Sequence, residues 1–439
     1  MASVHSSSES SPSAAPEGPV RAHDERFMAE ARAEAERGRG HTSPNPVVGA
    51  LIVDESGSDA GAEPRVLSRG HHVLARRDHA EVAALRPLGG RAPGKTLYVT
   101  LEPCNHVGRT GRCTDAILAA GITRVVCGMR DPNPHVEGGG IARLRAAGVE
   151  VTVGVQQAAC QAQNRGFLRA MLEARPQVLL KAALSLDGRI APAGQALGSL
   201  PAAPIWLTSA DSRRLAHRLR AESDAILVGV GTVLADDPRL TVRLPADAVG
   251  AGLPPRSPLR VVLDSHLRTP LAAKLVGPGT LLVTRASTLA AQPEQVTRLR
   301  DRGCEVLAIE PVAGSTRLDL RALLRSLCQR GVHYVLCEGG ATLHAALLAS
   351  GLADEAALFL APLFLGDQGV PLLRGLDIPS LMTAPWLADC DVQRLGPDLY
   401  LRGLLRPGPY RPSAPDETAA SPAAAKAAKA AKADRSGEG

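Results

Sequence analysis

The run Asp78-His79-Ala80-Glu81-Val82, followed by Glu102-Pro103-Cys104 and then Cys113, offers one imidazole and two thiols to a single metal ion. Three such ligands suit zinc and leave its fourth position to water. Glu81 is not needed as a ligand, so its carboxyl is free to move protons. Acidified water beside a mobile carboxyl is what hydrolytic removal of an amino group from a heteroaromatic ring requires. A purely structural zinc site would want a fourth protein ligand and would give Glu81 no task. The cysteines are separated by eight residues, not by the two of a Cys-x-x-Cys pair. His71, His72 and His106 lie close by and read as polar surface histidines, with pocket lining a second option for His106. Asn45, between Pro44 and Pro46, offers a donor and an acceptor to a pyrimidine edge, or simply makes a turn.

Apolar runs and breakers say what must position these groups. A helix is expected over Arg26 to Arg37, ending at Gly38-Arg39-Gly40, and Val47 to Val53 reads as a buried strand. A helix from Ala80 to Leu85, a strand from Thr96 to Leu101, a helix from Thr114 and a strand from Arg124 to Cys127 alternate after it. Val149 to Val153 closes the series, with a helix to about Leu172 behind it. That order predicts a three-layer α/β domain. His79 and Glu81 then open a helix, whose N–H groups favour negative charge beside the metal.

A second α/β series starts at Val178 to Ala183. Further strands are expected at Ala225 to Val230, Leu259 to Leu263, Thr280 to Thr284, Val306 to Ile309, Val332 to Cys337 and Glu355 to Leu360. Helices are expected at Ala210 to Ala221 and Ala341 to Leu348, and a Gly/Pro-rich surface loop at Ala246 to Pro258. The boundary falls near Arg175-Pro176, giving domains over 23–172 and 176–410. Residues 1–22, rich in Ser, Pro and Ala, and the Ala/Lys-rich stretch 413–439 read as disordered.

The 439 residues exceed one ordinary domain. Only 2% are aromatic, which leaves few stacking platforms for bases and argues against a nucleic-acid partner. The net charge of +6 is small for this length and sits partly in the C-terminal tail. Eight scattered cysteines, two in metal-ligand context, suit a reducing cytoplasm. A cationic-then-apolar leader is missing at the N-terminus, and there is no apolar run of about 18 residues, which argues against secretion and membrane spanning.

In the second half, Gly229-Val230-Gly231-Thr232 and Gly339-Gly340-Ala341-Thr342 each follow an expected strand. Glycines there let backbone N–H groups approach a phosphate, although neither run is a GxGxxG fingerprint and each is equally read as a tight turn. Lys181 on an apolar strand is costly unless its amine faces a cleft or an anion. Arg220 and Arg243 could clamp a phosphate bidentately or be ordinary surface arginines.

Taken together, Pro44-Asn45-Pro46-x-Val48-Gly49, His79-Ala80-Glu81 and Leu101-Glu102-Pro103-Cys104-x4-Arg109-Thr110-x2-Cys113 resemble the deaminase half of the bifunctional riboflavin-biosynthesis deaminase/reductase family. Lys181-x3-Ser185-Leu186-Asp187-Gly188-Arg189, the segment Thr232 to Arg243 and Glu338-Gly339-Gly340-x-Thr342-Leu343 resemble its reductase half. The likeness runs from about residue 23 to 405. It implies a cytidine-deaminase-like domain followed by a dihydrofolate-reductase-like one, with one Zn2+ per chain and NADPH as cofactors. The small-molecule substrate would be a phosphorylated pyrimidine, and the partner a second copy held through the reductase domain. It assigns His79, Cys104 and Cys113 to the metal and Glu81 to catalysis. NADPH contacts are implied at Ala183, Trp206, Thr232, Asp236, Ser265, Gly340, Ala341, Thr342, Leu343, His344, Ala345 and Ala346. Substrate contacts are implied at Asn45, Lys181, Pro204, Arg220, Leu240, Arg243 and Glu338. One departure is that Pro204 stands where the family has a small polar contact. The alternative reading is a monofunctional zinc deaminase with an inactive reductase-like domain.

Overall fold

The computed structural model describes residues 15–57, 61–74, 78–106, 111–133, 139–193, 206–245, 248 and 252–408. The first sheet holds β1 (Gly49–Asp54), β2 (Arg65–His71), β3 (Thr96–Val99), β4 (Arg124–Cys127) and β5 (Glu150–Val153), in the order β2-β1-β3-β4-β5. β1 runs antiparallel to both neighbours and β3, β4 and β5 run parallel. Its helices are α1 (Asp24–Glu36), α2 (Ala80–Leu85), α3 (Cys113–Ala120), α4 (Gly139–Ala146), α5 (Gln157–Gln163) and α6 (Arg165–Glu173). Alternation along the strands divides the core into two. Ala50, Ile52, Leu97 and Val99 pack under α2, α3 and α4, whereas Leu51, Val53 and Tyr98 pack under Phe27 and Met28 of α1. These are the three layers expected.

The second sheet has nine strands: β6 (Gln177–Ser185), β8 (Ala225–Gly229), β9 (Leu259–Leu263), β10 (Thr280–Thr284), β11 (Glu305–Ala308), β12 (Tyr334–Gly339), β13 (Glu355–Ala361), β15 (Trp386–Leu395) and β16 (Asp398–Arg406). β7 (Arg189–Ala191) and β14 (Val370–Pro371) form a separate small pair. The order is β11-β10-β9-β8-β12-β6-β13-β16-β15, parallel through β13 and antiparallel for the last two pairings. Flanking helices are α7 (Ala210–Ala221), α8 (Val230–Asp236), α9 (Ala286–Ala291), α10 (Pro293–Asp301), α11 (Leu320–Gln329) and α12 (Ala341–Ala349). In open parallel sheets the loops beyond the strands' C-terminal ends carry ligand sites. Here those ends bear Gly229, Ser265 and Gly339.

Several elements were not expected. β2 has only Ser68 and Gly70 buried, so it carries no apolar signal. Gly70 is required there: a Cβ would stand 2.3 Å from Ala84 N and 2.5 Å from Ala80 O, so only glycine lets α2 lie on β2. α4, β7, β14 and the β15–β16 hairpin were likewise unforeseen, and most of β15 is exposed. Residues 15–22, expected to be disordered, instead run beside β5. Glu17 and Val153 exchange two backbone hydrogen bonds of 2.8 Å, and the Pro19 carbonyl accepts from Thr152 Oγ1 and Arg124 Nη2. Residues 1–14 and the C-terminal tail lie outside the described residues.

The two sheets meet through charge. Arg165 and Arg169 of α6 reach Glu355 and Asp354 at 2.9 Å each, and Arg175 grips Asp354 with two bonds of 2.8 Å. A cavity of about 260 Å³, lined by Glu36, Arg39, Arg165, Glu222, Tyr334 and Arg402 among others, remains between the domains.

Inside the first domain, Arg124 donates to both oxygens of fully buried Asp24 at 2.9 and 2.8 Å, and the Tyr98 hydroxyl lies between Asp24 and Glu55, 2.7 and 2.6 Å from their carboxyl oxygens. Burial alone would raise the Asp24 carboxyl, but hydrogen bonds led by Arg124 hold it below its ordinary value. Arg124→Leu should therefore destabilise the domain by about 3–5 kcal/mol at neutral pH, against roughly 0–1 kcal/mol for breaking the exposed Arg26–Glu63 pair. A depressed carboxyl contributes stability above its unfolded value and loses it as pH falls through the folded one. The gap between wild type and Arg124→Leu, read by thermal unfolding, should thus narrow below about pH 4.

Candidate functional site

His79 is the N-cap of α2, with Glu81 in the helix's first turn. Cys104 follows β3 by a short loop, and Cys113 is the first residue of α3. These separate segments converge. His79 Nδ1 lies 3.1 Å from Cys113 Sγ and 3.4 Å from Cys104 Sγ, and the three ligand atoms all fall within 4.8 Å of one another. A tetrahedral zinc with ordinary bond lengths would set nitrogen and sulfur about 3.5 Å apart, so the donor set fits that ion. Another grouping of possible ligands, His23, Asp24 and Glu55, has its negative charge already met by Arg124 and Arg21.

Electrostatics at the zinc set follow from crowding. Hydrogen bonds from Cys113, with His79 adding, pull the Cys104 thiol well below its ordinary value, while Cys113 is pushed up in turn. Glu81 is buried, and burial raises its carboxyl against the opposing pull of His79. A carboxyl biased toward its protonated form is suited to taking up and returning a proton.

Supporting groups here went unread in the sequence. Glu102, inside the quoted motif, has its carboxylate out of water, accepting from Gly140 N and Ile141 N at 3.1 Å and Asp131 N at 3.3 Å. Asn105 Oδ1 accepts from Thr114 and Arg143 at 2.9 and 3.0 Å, tying the Cys104 loop to α3 and α4. Burial raises Asp131 to about 6. His71 and His72 are not the surface histidines expected. His71 Nδ1 lies 2.7 Å from Glu34, and His72 is buried with both ring nitrogens engaged, one of them 3.0 Å from Asn45 Nδ2. The β2 edge and the loop after it carry them inward. His106 is exposed.

In the second domain the structure gathers Lys181, Arg220, Arg243 and Glu338, whereas Leu240 packs into the core with Ile226, Val228 and Val262. Arg220 binds Glu338 through two bonds of 2.5 and 2.9 Å and the Thr241 carbonyl through a third at 3.0 Å. Lys181 Nζ stands 3.9 Å from Glu338 and 5.7 Å from the Phe359 ring. Burial would raise Glu338, but Arg220 and Lys181 hold it at about 2, and burial lowers Lys181. Arg243 is exposed, and its backbone N–H donates to His217 Nδ1 at 3.2 Å. His217, unread in the sequence, sits one helical turn before Arg220. Leu240 is buried with φ 50°. Pro204 lies outside the described residues.

The glycine turn after β12 lies beside Thr232, whose hydroxyl is 3.4 Å from where a Gly340 Cβ would stand. Gly339 has φ 113°, a conformation reserved for glycine, so the chain can turn there into α12. Thr342 is exposed, whereas Leu343 and Ala345 face the core and the buried His344 lines an apolar groove with Leu180 and Ala182. Ala183, Ser265 and Ala346 are half-buried and Asp236 is exposed. Trp206 is exposed, with the Arg213 guanidinium 4.9 Å over its ring.

Comparison with known proteins agrees with this division. Residues 21–129 match the cytidine and deoxycytidylate deaminase zinc-binding region, and residues 176–401 match the RibD C-terminal domain. The riboflavin biosynthesis protein RibD of Escherichia coli is 40% identical over 386 residues, covering 86% of this chain and 98% of its own. That of Aquifex aeolicus is 36% identical, covering 87% and 98%. Among solved structures, Acinetobacter baumannii RibD superposes with a TM-score of 0.74 at 35% identity, covering 88% of this chain and 99% of that one. A deaminase/reductase from Thermotoga maritima gives 0.71 at 31%, covering 88% and 98%. With a zinc-binding deaminase domain joined to a dihydrofolate-reductase-like domain that implies a nicotinamide cofactor, the chain belongs to the RibD family of bifunctional riboflavin-biosynthesis enzymes.

Proposed function

We propose that the first domain, over 23–172, hydrolyses the ring amine of 2,5-diamino-6-ribosylamino-4(3H)-pyrimidinone 5′-phosphate. The second, over 176–410, then reduces the ribosyl group with NADPH to give 5-amino-6-ribitylaminouracil 5′-phosphate. The observation that carries the deaminase reading is the convergence of His79, Cys104 and Cys113 beside a buried Glu81. Those three ligands would hold one Zn2+ per chain, and the metal would supply an acidified water as nucleophile. Glu81 would take one proton from that water and pass it to the ring nitrogen, then take the second from the hydroxyl added to the ring and hand it to the leaving amine, which departs as ammonia. Asn45 holds the pyrimidine edge.

In the reductase half NADPH supplies the hydride. Backbone N–H groups around Thr232 and Gly340 to Ala346 at the start of α12 would hold its phosphates, with Ala183, Trp206, Asp236 and Ser265 as the further residues of that cleft. Glu338, kept ionised, accepts from sugar hydroxyls, and Lys181 beside it keeps that charge in place. Arg220 has most of its donors committed to Glu338 and Thr241, which leaves Arg243 as the freer cation for the substrate phosphate. We assign self-association to the reductase domain, where Leu372, Leu373, Leu387 and Leu405 line an apolar groove, and we place the enzyme in the cytoplasm. Among the described residues no helix is long and apolar enough to cross a membrane.

Incubation of the purified protein with the diaminopyrimidinone phosphate tests both halves. Ammonia should appear without NADPH, and NADPH should be consumed once deamination has occurred. Ammonia release with no hydride consumption would mean that the second domain is inactive as a reductase.

Glu81→Gln should retain zinc by metal analysis yet lose ammonia release by several orders of magnitude, because an amide cannot shuttle protons. Its reductase activity on the deaminated intermediate should survive. Cys104→Ser, in contrast, should lose most of its zinc.

Arg243→Ala should raise the reductase KM by about 10- to 150-fold, as expected for one charge-assisted phosphate contact. NADPH affinity and ammonia release should be nearly unchanged. A collapse of NADPH binding with substrate binding intact would move Arg243 to the cofactor site.

A further inference from the structure

The geometry points to His72 as a positioning residue that fixes which end of the Asn45 amide is offered to the pyrimidine. This rests on the deaminase reading above, in which Asn45 meets the substrate. His72 is buried, its Nδ1 lies 2.8 Å from the Asp78 carbonyl oxygen, and its Nε2 lies 3.0 Å from Asn45 Nδ2. A carbonyl oxygen only accepts, so Nδ1 must carry a hydrogen. In the neutral ring Nε2 then carries a lone pair and can only accept, so Asn45 must present its NH2 group to it. The amide oxygen of Asn45 is thereby turned away from His72, free to accept.

Asn45 on its own could face a ligand with either end, since the two ends of an amide are nearly the same size. His72 removes that freedom before substrate arrives. The site is biased toward a heteroaromatic edge that offers an N–H donor and against one that offers only a ring-nitrogen lone pair. The relay is anchored in backbone: Asp78 directly precedes His79, and the His72 ring stands edge-on to the His79 ring at 5.5 Å between centroids. The group that sets the Asn45 amide is therefore held in register with the proposed metal ligand. An NH2 group against Nε2 and a carbonyl oxygen against Nδ1 leave the ring one hydrogen, so the ring is neutral.

Two measurements test this. Zinc-loaded wild-type protein labelled with 15N-histidine, read by long-range 1H–15N correlation, should show His72 protonated on Nδ1 and bare on Nε2, the signal being assigned by its loss in His72→Gln. A proton on Nε2 overturns the proposal. In ammonia-release kinetics, His72→Phe should raise KM by about 2- to 13-fold, the span of one neutral hydrogen bond, with kcat and zinc content little changed. His72→Gln, whose amide oxygen can still accept from Asn45, should recover most of that loss. A His72→Gln as impaired as His72→Phe, or a KM rise that tracks lost zinc, overturns it in favour of simple packing against His79. If His72→Phe does not fold, the tautomer and the His72→Gln kinetics still decide. Wild-type protein releasing no ammonia from the diaminopyrimidinone phosphate would sink the substrate assignment instead, and the tautomer would then judge the positioning alone.

Discussion

Glu102 sits between β3 and Cys104 with its carboxylate out of water and three backbone N–H groups turned toward it. A carboxylate in that position is tolerated only when such donors are present, and here they come from two segments far apart in sequence: the Asp131 loop and the start of α4. Satisfying one buried charge thus fixes where β3 ends, where α4 begins and where Cys104 must lie. The rest of the first domain's site follows. α3 brings Cys113 to meet Cys104, and α2, seated on β2 through Gly70, brings His79 and Glu81.

The same constraint organises the second domain. Glu338 is held ionised by Arg220 and Lys181, and the bonds that satisfy it also pull in the Thr241 carbonyl and so shape the loop carrying Arg243. Asp354, between Arg169 and Arg175, does this at the junction of the two domains. A buried ion pair contributes little net stability, yet removing one partner is costly. These charges therefore act as geometric pins more than as sources of stability.

Much of this could be read from the residues. The zinc ligand set was legible because ligand type and the nearby free carboxylate leave few other uses, and the buried parallel strands were legible because unbroken Val/Leu/Ile runs have few alternatives. β4, β9, β10, α2 and α7 fall where their sequences place them. Elements whose burial is supplied by others were hidden. β2 reads as polar because its buried residues are Ser68 and Gly70, and β15 because it lies at the sheet edge with most side chains in water. His72 looked like a surface histidine since nothing local says that the chain turns inward there. Glu102 stood inside a recognised motif, yet its role needed Gly140 and Ile141, almost forty residues on. Arg220 looked like a free clamp because its partner Glu338 is more than a hundred residues away.

The stretch from Cys104 to Cys113 has both its ends pinned, by Asn105 with Thr114 and Arg143, and by Glu102 just ahead of it. A loop clamped at both ends can change length at little entropic expense, since doubling it costs only about 0.6 kcal/mol. The wide spacing of the two thiols is thus a tolerance as much as a signature. It gives a protein engineer two anchored ends, at Asn105 and at Cys113, between which chain can be recut while the ligands keep their places.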